Sequence, residues 1–86
     1  MSIGEVKAAL AEAHRMLDQG KITIEGIGAA LEETAGLALA TLHDSRRAEA
    51  ESARQALAEA VREVESTLRT VNAATENISA YAKELG

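Results

Sequence analysis

Two apolar registers of seven-residue period, out of phase with each other, leave this chain little to fold into except a pair of long helices. In the first half, Ile3, Val6, Leu10, Ala13, Leu17, Gly20, Ile24, Ile27, Leu31, Thr34 and Ala38 follow one another at alternating spacings of three and four. In the second half, Leu57, Val61, Val64, Leu68, Val71, Thr75, Ile78, Ala82 and Leu85 do the same, and they include every Leu, Ile and Val after residue 50. Such spacing gathers the side chains onto one stripe of a helix. Carried past Ala38, the first register reaches Thr41, Ser45 and Ala48. The second runs back through Arg54 to Ala50. The phases disagree, so the chain is expected to turn between them.

The expected architecture is all-α: one domain over residues 1–86, with a helix over about 2–43, a turn within about 43–52 and a helix over about 52–85. The segment HDSRRAEAES at the phase break is the longest stretch without a large apolar residue. Asp44 or Ser45 suits a helix cap, and Ser52 with Gln55 fits a capping box. The two arms then form an antiparallel hairpin of amphipathic helices. One bent helix with a skipped register is the alternative. Gly20, Gly26 and Gly28, with the β-branched run Ile22, Thr23 and Ile24, weaken the first helix by up to ~1 kcal/mol per glycine. Gly20 has the character of a helix-ending cap. Because the register crosses the segment undisturbed, a continuous helix is expected over a break.

Composition limits what such a hairpin can bury. Apolar residues make up 47% of the chain, yet 19 are alanine, and Phe, Trp and Cys are absent. Fully burying a large side chain is worth ~1.5–3 kcal/mol, which barely offsets the ordering entropy here. Leu37, Leu39 and Leu42 widen the apolar surface beyond the first stripe, and Met16 and Tyr81 flank the seams. Two helices alone cannot cover so much, so dimerisation as a four-helix bundle is expected. The interface is expected to draw on Leu10, Leu17, Ile24, Ile27, Leu31, Leu37, Leu39 and Leu42 of the first arm. From the second arm it takes Leu57, Val61, Val64, Leu68, Val71 and Ile78.

The remaining features exclude more than they assign. A net charge of −5 with dispersed Lys and Arg is unsuited to nucleic acid. The weakly polar stretch from Gly26 to Leu42 contains Glu32 and Glu33 and is too short to span a bilayer. The N-terminal MSIGEVKAAL lacks the pattern of a cleavable signal peptide, so a soluble chain is expected. His14 with Asp18 is one i, i+4 pair, and His43 beside Asp44 falls in the turn; both suit solvated surface. Glu32 and Glu33 point about 100° apart on a helix, and no Glu-X-X-His occurs. No catalytic, cofactor-binding or metal-binding residue is assigned, and no small-molecule substrate is expected. Glu65–Arg69, Arg47–Glu51, Glu12–Arg15, Glu51–Arg54 and Glu59–Arg62 have the spacing of surface ion pairs, each worth ~0.2–0.5 kcal/mol. Arg54 sits on the extrapolated second stripe: the packed seam is expected to start only at Leu57, the alternative being that Arg54 makes a specific polar contact. Tyr81 is expected to close the end of the bundle, with recognition by a partner as the alternative role.

About 90 residues, rich in alanine, acidic, without Cys and with two equal arms: the chain resembles the WXG-motif family of small type VII secretion substrates. HDSRR occupies the place of that family's Trp-X-Gly turn. Tyr81 has Leu85 four positions on and Glu84 at three, where the family's export signal has an acidic residue at four. The resemblance carries over no functional residue. It implies a hairpin that dimerises, with itself or with a similar small helical protein, and leaves the cell without a cleaved signal. Read from its residues, the chain is a non-enzymatic protein-interaction module acting through an apolar helical seam. An intracellular coiled-coil adaptor, chaperone-like subunit or assembly component is the other class that fits, and compartment stays open between cytoplasm and export.

Overall fold

A computed structural model describes all of residues 1–86. Helix α1 runs over Ile3–Leu42 and helix α2 over Ala48–Glu84, packed against each other as an antiparallel hairpin. The molecule is a rod of 63 × 16 × 15 Å. No helix is long and apolar enough to cross a membrane.

Each helix begins for a local reason. Ser2 caps α1, its Oγ accepting from the Glu5 backbone N–H at 3.1 Å, and this Ser-X-X-Glu spacing satisfies an otherwise orphaned donor. α1 then passes through Gly20, Gly26 and Gly28 without interruption. α2 starts four residues ahead of the expected Ser52. Arg47 is its N-cap and gives no side-chain cap bond, while Glu49 and Glu51 place negative charge in the first turn, where the helix dipole favours it. Ser52 lies exposed inside α2, so the Ser52–Gln55 capping box is not used.

The turn occupies residues 43–47 and is made without glycine or proline; no residue other than a glycine has positive φ. What holds it is Arg54. Its Nη1 donates to the Leu42 carbonyl at 2.9 Å and Nη2 to the Ser45 carbonyl at 3.4 Å, while Glu51 Oε2 accepts from Nε and Nη2 at 3.3 and 2.9 Å. α1 has no basic residue in its own last turn. A cation supplied from α2 to its exposed carbonyls therefore does the work of a C-terminal cap. Of the two readings of Arg54 the structure has the specific polar contact, and the start of the seam at Leu57 is corrected: the Arg54 side chain is about one quarter exposed and bridges the two helices. At the open end, Lys7 Nζ donates to the Gly86 carbonyl.

Along α2 the packed stripe keeps the expected register, from the buried Ala50 to Leu85. Along α1 it departs from it. The residues that face α2 are Val6, Leu10, Ala13, Leu17, Gly20, Ile24, Gly28, Leu31, Ala35, Ala38 and Leu42. The steps of three, four and four from Leu17 to Gly28 insert one eleven-residue repeat among heptads. Ile3, Ile27 and Thr34, expected on the stripe, are exposed, with Ile3 at 62% and Ile27 at 55%. The cause is geometric: a strict heptad drifts by about 20° per repeat around a straight α-helix, and an eleven-residue step turns it back. Gly28 makes the step possible. A Cβ there would lie 3.0 Å from Val64 Cγ1, so the helices approach closely where Ile27 would have held them apart.

Candidate interaction surface

Only Ala35 and Ala50 are buried, and the chain exposes 6260 Å². A compact monomer of this mass exposes about 4,850 Å². A rod necessarily exposes more than a compact particle, but the excess is not spread evenly. Met16, Ile22, Ile27, Leu37 and Tyr81 are each half or more exposed.

The expected interface residues separate into two groups. Leu10, Leu17, Ile24, Leu31 and Leu42, with Leu57, Val61, Val64, Leu68, Val71 and Ile78, line the seam inside the hairpin and remain partly accessible along its edges. Ile27, Leu37 and Leu39 take no part in that seam; Leu37 is 73% exposed and Leu39 40%. Tyr81 is half exposed on the flank of α2.

Two grooves flank the seam at the level of Val64, one on each side, and they differ in charge. One is lined by Ile24, Ile27, Leu31, Ala60, Glu63, Val64 and Thr67. The other is lined by Glu25, Gly28, Ala29, Glu32, Val61, Val64, Glu65 and Leu68. The first has one carboxylate; the second has three, none of them in an ion pair. Sequence reasoning treated the hairpin's surplus apolar surface as one quantity and missed this division. The signal was available in the seven-residue series Ala53, Ala60, Thr67, Ala74 and Tyr81, which carries no charge.

The histidines and the ion pairs sit outside both grooves. His14 Nδ1 lies 3.3 Å from Asp18 Oδ2, and His43 Nε2 lies 3.1 Å from Asp44 Oδ2, both pairs at the surface. Ion pairs join Glu12 to Arg15, Glu51 to Arg54 and Glu59 to Arg62. The Arg15 guanidinium holds the exposed Glu12 carboxyl below the usual range. That pair adds stability above the ordinary glutamate pKa and loses it as pH falls through the lowered one. Solvent screening keeps the contribution small. Glu65–Arg69 and Arg47–Glu51, with equally suitable spacing, form no ion pair. No three His, Cys, Asp or Glu side chains come together as a metal-holding group.

The fold therefore defines a small all-α, two-helix hairpin whose distinguishing features lie on its flanks. No protein-family model, curated protein or solved structure matches the chain. Of the resemblance drawn from the sequence, the structure has the size and the hairpin shape.

Proposed function

We propose that this chain is a non-enzymatic interaction module that completes its core by packing against other helices. The observation that carries the reading is the near absence of a core: two buried alanines in a rod that exposes 6260 Å². A chain so short of buried apolar area gains most of its stability from whatever covers it, so folding and binding are linked. The grooves support the same reading, being shallow channels along the helix seam that suit helical neighbours. The finer form of the proposal is a partner protein of the WXG-like kind, for which size and hairpin shape speak. An intracellular adaptor is the other form, and fractionation of producing cells separates the two.

The test is thermal unfolding of the purified chain over a hundredfold range of concentration, followed by circular dichroism. A module that depends on covering surface melts at lower temperature, or loses helicity, as it is diluted or kept from its partner. A fully helical monomer with a high, concentration-independent midpoint would overturn the proposal, because such a hairpin is complete alone.

A further inference from the structure

Resting on that reading and going beyond it, we propose that a second copy of this chain covers the charge-poor side of the hairpin, the side that carries Ile27, Ala60, Thr67 and Tyr81. The two sides of the seam present opposite prospects to a like copy. Closing the acidic groove on itself would bring Glu25, Glu32 and Glu65 of one chain against the same three of another, with no cation in the groove to offset them. Burying unpaired charge is strongly unfavourable. The opposite groove asks a dimer to accommodate only Glu63, at its rim.

Shape favours self-pairing on the same side. α1 contributes the large groups there, Met16 and Ile27, both more than half exposed. α2 contributes small ones, Ala53, Ala60, Thr67 and Ala74, at seven-residue intervals, and then Tyr81. A two-fold axis along the rod sets α1 of one copy on α2 of the other, in opposite directions. Because Gly28 meets Val64 within the hairpin, equal heights place Ile27 beside Ala60 and Thr67 of the second copy and Met16 beside Ala74. Tyr81, the one large group on α2's flank, then faces the small Ala9. Large groups of each copy meet small groups of the other at both contacts, which is what an isologous interface requires.

The area is of the right size. One long face of the 63 × 16 × 15 Å rod measures about 1,000 Å², so closing it between two copies removes about 2,000 Å² in total. Obligate dimers bury ~2,000–5,000 Å². Leu37 stands on the outward face of α1 and takes no part.

Sedimentation velocity on the full chain and four variants tests this. Wild type is expected to run as a dimer at micromolar concentration. Ile27→Glu and Ala60→Glu are each expected to raise the dissociation constant at least tenfold, with helicity retained at high concentration. Glu63→Gln is expected to lower it several-fold, a gain that no folding defect imitates. Leu37→Lys is expected to change it less than twofold. The proposal is overturned if Leu37→Lys dissociates the dimer while Ile27→Glu does not, or if Glu63→Gln weakens it. A wild type that is monomeric and melts at low temperature at every concentration overturns the self-pairing and leaves the interaction-module reading to a different partner.

Discussion

Two glycines on the same stripe of α1 do opposite things. Gly20 faces α2, yet a Cβ built there meets nothing within 4 Å, whereas one at Gly28 lies 3.0 Å from Val64 Cγ1. Glycine inside a helix costs about 1 kcal/mol relative to alanine. Gly20→Ala is therefore expected to stabilise the chain by ~0.5–1 kcal/mol, read as a higher urea midpoint with unchanged slope. Gly28→Leu is expected to destabilise it by ~1–3 kcal/mol through overpacking, with the helices pushed apart at Val64. Equal effects of the two changes would mean that the close approach at Gly28 carries no weight. Both glycines stand out in the sequence as weak points of one helix. The sequence has no means of telling them apart, because the difference lies in what the other arm places opposite.

Between the helices, the register of α2 was legible and that of α1 was legible only from Val6 to Ile24. α2 has one strong stripe with charged residues elsewhere, so a heptad reading finds the packed face. α1 is apolar on more than one side: Ile22, Ile27, Leu37 and Leu39 are all substantially exposed, so an unbroken heptad through Ile27 and Thr34 was as easy to draw as the stutter through Gly28 and Ala35. The turn was legible as a phase break, and its clasp was not. Arg54 reads as a misfit on an apolar stripe until the Leu42 carbonyl is placed beside it. Arg54→Ala strips the end of α1 of its cation, leaves the Ser45 carbonyl to water and the Leu42 carbonyl with only the Ser45 N–H, with an expected loss of ~1–2 kcal/mol in chemical denaturation. Lysine at the same position is expected to recover only part of that, since a guanidinium reaches both carbonyls and Glu51 at once. Trypsin should cut first after Arg46 or Arg47, exposed in the turn; in Arg54→Ala that cleavage should quicken. First cleavage after Lys21 would instead locate the least stable segment in the glycine-rich part of α1.

At the scale of the whole molecule, charge separates self-pairing from capture of an unlike partner. Each chain carries −5, so two copies repel at long range however well their uncharged sides fit, and the attraction between them is apolar and short in reach. Salt shortens the Debye length from ~30 Å at 0.01 M to ~3 Å at 1 M and so removes the repulsion while leaving the apolar contact intact. A dimer closed through Ile27, Ala60 and Tyr81 is therefore expected to tighten as sodium chloride is raised from ~0.02 to ~0.5 M, by several-fold in dissociation constant. Its melting midpoint should move upward over the same range at fixed protein concentration. A complex that uses the other side, setting Glu25, Glu32 and Glu65 against a basic protein, obeys the opposite rule, because the attraction itself is screened. Sedimentation velocity of the chain alone at the two ionic strengths tests the self-pairing: a dimer that falls apart in salt would show that the hairpins meet through charged groups and that the charge-poor side is not what joins them.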